Sequence, residues 1–238
     1  MNAKDWERLA DKYAEEVCDI FMRDRRGVIA GWLRAEGLLD GGRTALDIGC
    51  GIGSFFRKYG RYFSTKTGTD HSARMVKLAE QRCLSQPEIH WCVSDVFAMP
   101  REWRASADLV VCSNVITFVQ LDACRRALRQ VVHTAKPGGR VLLIIPSLES
   151  HDAVVALEHG RPAPKRGTTA VVQRDDRLQR FFARDGIRQL AMRAGLDRVQ
   201  VRKVWYPWSD EGIAKAPRGH EAPWDWLVTG RRPKGRAR

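Results

Sequence analysis

The sequence of 238 residues lacks most features that mark a membrane, secreted or metal-binding protein. Its longest apolar run, Val141 to Pro146, has the length of a buried strand, whereas a membrane helix needs about 20 apolar residues. The first residues are charged and contain no apolar stretch of a signal peptide. The six cysteines form no Cys-x-x-Cys pair and no cluster with histidine, which argues against disulfides and a metal site. We therefore expect a cytoplasmic protein with reduced thiols, no metal and no membrane partner.

The net charge of +13 comes from two parts of the sequence. Residues 161–205 contain 12 Lys+Arg against 4 Asp+Glu, and the tail 231–238 contains five basic residues and no acidic one. Such an excess can attract an anionic substrate or a phosphate backbone, and charge alone does not choose between them. The tail by itself is typical of a solvated terminus.

Short apolar segments alternate with helical ones between residues 44 and 145. The predicted strands are 44–48, 66–70, 89–93, 108–112 and 140–145. Strands without polar alternation, separated by helices, indicate a parallel sheet that is buried on both faces. Residues 199–205 and 224–229 follow with no helix between them, which predicts a closing hairpin. Residues 147–180 are polar and interrupted by Gly and Pro, and we expect them to be irregular and to cover the carboxyl edge of the sheet.

A glycine-rich turn follows the first predicted strand. Gly49, Gly51 and Gly53 lie between this strand and a helix, where they allow a tight turn and a close approach of a ligand to the backbone. As a dinucleotide-binding fingerprint the match is incomplete, because the third position is Ser54. By itself the turn could also serve only to connect strand and helix.

Four motifs in register resemble the class I S-adenosylmethionine-dependent methyltransferases. The motif Asp47-x-Gly49-x-Gly51-x-Gly53 resembles that family's motif I. Asp70 ends the second strand, Ser94-Asp95-Val96 follows the third, and Lys136-Pro137-Gly138-Gly139 precedes the fifth, as they do in the family. The resemblance covers residues 40–146 closely and residues 185–230 more loosely.

The resemblance implies roles for individual residues. Asp70 would accept hydrogen bonds from the ribose hydroxyls, and Asp47 would hold the loop and the methionine ammonium group. His71 would lie against the adenine, and Asp95, beside Val96, would accept from its amino group. Cys50 would contribute its backbone N–H, and Ser113 and Asn114 would line the methyl-donor end. Tyr13 either closes over the cofactor or is a core aromatic residue, and the same two readings apply to Trp6.

The cofactor implied is S-adenosyl-L-methionine, with S-adenosyl-L-homocysteine as product. The sequence has no Asn/Asp-Pro-Pro-Tyr motif after the fourth strand and has Cys112-Ser113-Asn114-Val115 there instead, which argues against relatives that methylate amides or base amino groups. If the acceptor must lose a proton, a general base is needed. The candidates are His151 and Glu149, followed by His159, whereas His133 lies inside a helix and is interpreted as structural.

Basic and aromatic residues crowd the region expected to bind the acceptor. They could hold an acidic or aromatic small molecule, or they could be a solvated basic face over an aromatic core. The basic residues are Arg161, Lys165, Arg166, Arg174, Arg177 and Arg180, and the aromatic groups are Trp205-Tyr206-Pro207-Trp208 and Pro223-Trp224-Asp225-Trp226.

The fold expected is α/β, a single Rossmann-like domain over residues 1–238, with a seven-stranded mostly parallel sheet, an antiparallel C-terminal hairpin and helices on both faces. Its parts are an N-terminal helical cap (1–39), a cofactor-binding half (40–146), a basic lid (147–183), a C-terminal helix and hairpin (184–230) and a basic tail (231–238). The function expected is methyl transfer to a small molecule at oxygen, nitrogen or sulfur. The alternatives are an RNA methyltransferase recruited through the lid and tail, a non-catalytic partner subunit that binds the cofactor, and an NAD-dependent oxidoreductase. The apolar segments expose no clear dimer face, so the oligomeric state stays open.

Overall fold

The computed structural model describes residues 19–86, 88–160, 162, 166–174 and 177–234. Tyr13 and Trp6 lie outside these residues, as do Arg161, Lys165 and the end of the basic tail. Along the described chain no helix is long and apolar enough to cross a bilayer.

Seven strands form the central sheet, in the order β3-β2-β1-β4-β5-β9-β8. Strands β1 to β5 are parallel, β9 is antiparallel to β5, and β8 is antiparallel to β9. The strands are β1 (Arg43–Ile48), β2 (Phe63–Asp70), β3 (Ile89–Val93), β4 (Ala107–Ser113), β5 (Ala135–Pro146), β8 (Asp197–Trp205) and β9 (Trp224–Arg231). The mostly parallel sheet with a C-terminal antiparallel hairpin is therefore confirmed.

The helices lie on both faces of this sheet. They are α1 (Ile20–Arg23), α2 (Val28–Ala35), α3 (Ser54–Tyr59), α4 (Ala73–Arg82), α5 (Leu121–Thr134), α6 (Leu148–His159) and α7 (Arg184–Arg193). Alternate residues of β4 separate the two layers: Val110 and Cys112 pack in one cluster with α5 and α7. Leu109 and Val111 pack in the other with α1, α2 and α3. This two-sided burial is the reason that the middle of β4, residues 109–112, is apolar throughout.

The lid segment is more regular than the sequence predicts. It contains the helix α6 and a separate two-stranded antiparallel sheet, β6 (Thr169–Arg174) with β7 (Arg177–Phe182). Leu148 of α6 packs with Val172 and Phe181 of this hairpin in a small buried cluster. The prediction of an irregular segment over 147–180 was therefore wrong, because contacts between α6 and the hairpin stabilise a structure that its polar sequence does not indicate.

The boundary between α5 and β5 also differs from the prediction. The helix ends at Thr134 and β5 begins at Ala135, so the Lys136–Gly139 motif lies inside the strand. Arg232 Nη1 donates to the carbonyls of His133 and Ala135 at 2.8 and 2.7 Å. The His133 carbonyl also accepts from the N–H of Ala105 at 2.9 Å, so the junction of α5 and β5 is held by both a backbone and a side-chain donor.

Candidate active site

The glycine turn lies where the strand order reverses direction. β1 has β2 on one side and β4 on the other, and ligands of open α/β sheets bind at the carboxyl edge of such a switch point. Gly49 has a φ of +71°, and a Cβ added there would lie 2.1 Å from Cγ2 of Val115. Gly53 has a φ of +78° and caps α3. The turn therefore requires glycine for backbone conformation and for space.

The end of β2 holds the glycine turn in place. The N–H groups of Gly49 and Cys50 donate to the Thr69 carbonyl at 2.7 and 2.9 Å, and the N–H of Gly51 donates to Oδ2 of Asp70 at 3.1 Å. Two roles in the prediction change as a result. Asp47 does not hold the loop, because Thr69 and Asp70 do, and the Cys50 N–H predicted to contact the cofactor is engaged by Thr69.

Asp70 organises the edge of β2 through both carboxylate oxygens. Besides the N–H of Gly51, it accepts from the N–H of Ser72 at 3.0 Å, and Nδ1 of His71 lies 3.1 Å from Oδ1. The hydrogen bond to Asp70 raises the pKa of His71, which is half-buried, and Asp95 adds to this effect. An ionised carboxylate has about four acceptor positions, so Asp70 still has room for a ligand hydroxyl.

Asp47 is a buried carboxyl group without a hydrogen-bond partner. It is 1% exposed, and its Oδ1 has no partner in the described structure. Burial, together with the charge of Asp70, raises its pKa to about 8. A buried, unpaired acid is costly, and a cationic ligand group would remove most of this cost.

A cleft brings together five of the twelve predicted cofactor residues, which come from β1, the glycine turn and β4. Its lining residues are Asp19, Ile20, Phe21, Asp47, Gly49, Cys50, Ile52, Ser54, Ser113 and Asn114. Ser113 and Asn114 thus lie in the same cleft as Asp47, as the prediction requires. Asn114 has a φ of +56°, and its Oδ1 is buried without a partner in the described structure.

The helix α1 and its N-cap form a wall of the cleft that the sequence analysis did not identify. Oγ of Ser54 donates to Oδ2 of Asp19 at 2.5 Å, and Nζ of Lys58 donates to the Phe21 carbonyl. Ile20 and Phe21 are buried. An Asp before an apolar turn is a recognisable N-cap, but its contact with a residue 35 positions later depends on the tertiary fold.

Asp95 and Val96 lie in the loop after β3, beyond Asp70. Asp95 is exposed, and its Oδ1 accepts from the N–H of Phe97 at 2.8 Å, while Val96 is 8% exposed. These two residues are not among those that line the cleft. Their contact with the adenine stays a prediction.

The candidate bases lie on α6. The His151 ring packs against Phe181 with 5.0 Å between centroids. Glu149 is exposed, and its Oε1 accepts from the N–H of Arg184 at 2.8 Å, at the start of α7. His159 is exposed at the end of α6. None of the three lines the cleft, so a catalytic role for His151 or Glu149 stays a prediction.

Two lid arginines with described side chains are engaged within the protein. Arg166 pairs with Asp152 at 3.1 Å. Arg180 donates from Nε to the Phe118 carbonyl at 3.3 Å and from Nη1 to Oγ1 of Thr169 at 3.2 Å. Three of the four predicted indoles, those of Trp208, Trp224 and Trp226, are buried, as expected of an aromatic core. Within the described chain, no group of three His, Cys, Asp or Glu side chains could hold a metal ion.

A comparison with known protein families matches the part of the chain that runs from β1 into β5. Residues 46–143 match the family described as "Methyltransferase domain". A ubiquinone biosynthesis O-methyltransferase of Paracidovorax citrulli is 32% identical over 118 residues, which is 47% of this chain and 46% of that protein. A demethylmenaquinone methyltransferase of Tropheryma whipplei is 28% identical over 147 residues, 56% of this chain and 59% of that protein. The chain thus spans about half the length of these relatives.

Solved structures with the same fold cover nearly the whole chain. The N-methyltransferase NodS from Bradyrhizobium japonicum WM9, in complex with S-adenosyl-L-homocysteine, has a TM-score of 0.64 at 18% identity and covers 97% of this chain and 98% of its own. The magnesium protoporphyrin IX methyltransferase from Synechocystis PCC 6803, with the same bound product, has a TM-score of 0.63 at 16% identity and covers 97% and 95%. Residues 46–143 therefore match the methyltransferase domain family, and the chain has the Rossmann-like fold of these solved methyltransferases.

Proposed function

We propose that this protein transfers a methyl group from S-adenosyl-L-methionine to an oxygen, nitrogen or sulfur atom of a small molecule. The observation that carries the proposal is Asp47, a buried carboxyl group whose Oδ1 has no hydrogen-bond partner among the described residues and which lies beside a glycine turn at the switch point of the sheet. A protein would not retain such a group for stability alone.

The charges of the cleft fit this cofactor. Asp19 and Asp47 line the cleft, and Asp70 lies close enough to Asp47 to raise its pKa. Asp47 would accept from the methionine ammonium group, and Asp70 would accept from the ribose hydroxyls. When bound, the cofactor would supply a methyl group that its sulfonium charge has already activated.

The residues of the cleft would bind the cofactor, orient the acceptor and exclude water. Val115 packs against Gly49 and fixes the wall after β4, and Oδ1 of Asn114 offers an acceptor beside Asp47. Ile20 and Phe21 cover the cleft with apolar surface. Alignment of the acceptor with an activated methyl group and exclusion of water are the main contributions that such an enzyme makes.

A small molecule is favoured as acceptor over RNA. The matched relatives carry names that refer to quinones, and NodS is described as an N-methyltransferase.

If a base is needed, His151 is favoured over Glu149, whose carboxylate already accepts from the N–H of Arg184. Replacement of His151 by Ala should then lower turnover in a pH-dependent way.

The cofactor assignment is tested by calorimetric titration with S-adenosyl-L-homocysteine, with NADH as the control ligand. We expect micromolar binding of the first and none of the second. Asp70→Asn should weaken binding at least tenfold, whereas Asp122→Asn, on an exposed carboxylate of α5, should leave it unchanged. Because Asp70 also holds the glycine turn, circular dichroism must show that the variant is folded. Unaltered binding by a folded Asp70→Asn variant would overturn the ribose assignment.

The Asp47 assignment has a separate signature. Pairing with an ammonium group lowers the pKa of Asp47, so binding at pH 7 should release a proton. The binding enthalpy should then depend on the ionisation enthalpy of the buffer in the wild type, and much less so in Asp47→Asn. A wild-type enthalpy that is the same in phosphate and Tris would contradict the role of Asp47.

Methyl transfer itself is tested with methyl-labelled S-adenosyl-L-methionine and a panel of candidate acceptors. Label found in acidic or aromatic metabolites supports the proposal. Label found only in RNA would favour the RNA alternative. Binding of the cofactor with transfer to neither class would indicate a non-catalytic partner subunit, and binding of NADH alone would indicate an oxidoreductase.

A further inference from the structure

A second concave site lies on the outer face of α5, away from the residues that line the cleft. A concavity of about 370 Å³ is lined by Phe97, Arg126, Arg129, Gln130 and His133. The four residues of α5 are spaced i, i+3, i+4 and i+7, which places them on one face of the helix. The volume falls within the range of small-molecule sites.

The arginines of this site carry uncompensated charge. Among the described residues, neither Arg126 nor Arg129 forms an ion pair, whereas the neighbouring Arg125 pairs with Asp122 at 2.7 Å. Partial burial, followed by the charges of Arg104, Arg232 and Arg129, lowers the pKa of His133. Arg126 and Arg129 thus line the site, and the charges of Arg104 and Arg232 act on His133 in its wall.

An aromatic ring lies next to these charges. Phe97 is 39% exposed, although most large apolar side chains of the described chain are buried. The guanidinium carbon of Arg126 lies 5.6 Å from the centroid of the Phe97 ring, and the ring packs against Phe118 with 5.1 Å between centroids. A fixed, exposed ring beside unpaired guanidinium groups suits a planar group that is attached to an anion.

We propose that this α5 site binds the phosphate and base of a nucleotide. Arg126 and Arg129 would hold the phosphate, for which paired guanidinium donors are well suited, and the base would pack on Phe97. The nucleotide is either free or part of a single strand, since both present the same two groups. The side chain of Arg232 donates to the carbonyls of His133 and Ala135 at the end of α5, which adds a positive charge near this site.

The residues that line this site differ from those that line the cofactor cleft, so the test does not rely on the proposed function. Uridine 5′-monophosphate, inorganic phosphate and a 12-residue oligouridylate are titrated into the full chain at 50 and 200 mM salt. Uridine is chosen because its pyrimidine differs from the adenine expected in the cleft. The variant Arg126→Glu/Arg129→Glu is compared with Arg34→Glu/Arg193→Glu, which changes the same charge at two exposed arginines on α2 and α7.

We expect at least one of the two uridine ligands to bind. The α5 double variant should weaken that binding at least tenfold. The dissociation constant of the control double variant should stay within twofold of the wild-type value. Binding of the monophosphate identifies a free nucleotide, and binding of the oligonucleotide alone identifies a strand. Phe97→Leu should weaken binding of the uridine ligand severalfold and leave binding of inorganic phosphate unchanged. Failure of both uridine ligands to bind, or equal weakening in both double variants, would overturn the proposal. Equal affinity for phosphate and the monophosphate would overturn the role of Phe97.

Discussion

At the scale of single residues, Asp47 links the site to the pH dependence of stability. Burial and the nearby Asp70 raise its pKa to about 8 from 3.8. Between these two values the folded state retains a proton that the unfolded state has lost, so this carboxyl group makes the protein less stable as the pH rises.

Asp47→Asn should therefore stabilise the protein, and the gain should grow with pH. Asn cannot ionise, so the difference in free energy of unfolding should be small at pH 4 and largest near pH 8. Urea unfolding at pH 4, 6 and 8 measures it, with Asp122→Asn as an exposed control that should show little pH-dependent gain. A gain of the same size at every pH would contradict the raised pKa.

Gly49→Ala tests the glycine turn. The left-handed φ and the 2.1 Å approach to Val115 should together cost at least about 2 kcal/mol of stability and weaken binding of S-adenosyl-L-homocysteine. Gly31→Ala is the matched control, because Gly31 lies within α2 with nothing within 4 Å of its Cβ position. That change should stabilise the helix by roughly 0.5–1 kcal/mol. Equal effects from both changes would show that the turn tolerates a side chain.

At the scale of elements, Arg180 fastens the lid hairpin to the loop after β4. Its backbone N–H donates to the Thr117 carbonyl at 2.9 Å, and its side chain donates to the carbonyls of Phe118 and Val119. This loop begins at Asn114 and Val115, which line or support the cleft. The lid hairpin and this loop are thus connected through both the backbone N–H and the guanidinium group of Arg180.

Arg180→Ala should loosen the hairpin and this loop together. Hydrogen bonds from a charged donor contribute roughly 1.5–3 kcal/mol each at most. Their loss should lower the free energy of local opening, so amide hydrogen exchange should accelerate in residues 169–173, 178–182 and 115–119. Arg166→Ala removes an ion pair with Asp152 from the same lid and should have a smaller effect, confined to α6. Acceleration in the hairpin without any change in 115–119 would show that the two elements are not coupled.

The elements predicted from sequence are those whose signals are local. Strands β1, β3 and β4 are within a residue of their predicted bounds because short runs rich in apolar and β-branched residues mark them, both in the buried β4 and in the partly exposed β3. The hairpin β6–β7 was missed because its stability comes from Val172 and Phe181 packing on Leu148, which lies 24 and 33 residues earlier in the sequence. Likewise, the motif around Asp47 and Asp70 located the cleft, but the contact of Asp19 with Ser54 depends on how α1 folds back over the glycine turn.

At the scale of the whole molecule, ligand binding should stabilise all elements around the cleft at once. The lining residues come from β1, the glycine turn, β4 and α1. At a concentration 100 times its dissociation constant, S-adenosyl-L-homocysteine should add about 2.7 kcal/mol, which corresponds to a rise in Tm of roughly 5–10 °C. NADH at the same concentration should give no rise, which differential scanning fluorimetry can check. A rise with NADH alone would contradict the cofactor assignment.

The place of β9 in the sheet has a consequence for synthesis on the ribosome. β9 is the last strand in the sequence, yet it lies between β5 and β8. Until residues 224–231 leave the exit tunnel, the nascent chain exposes the apolar edge of β5, and β8 has no strand to pair with. Such edges promote association between chains. We conclude that the sheet is completed only after residues 224–231 have been made, when this late strand joins two segments that were made before it.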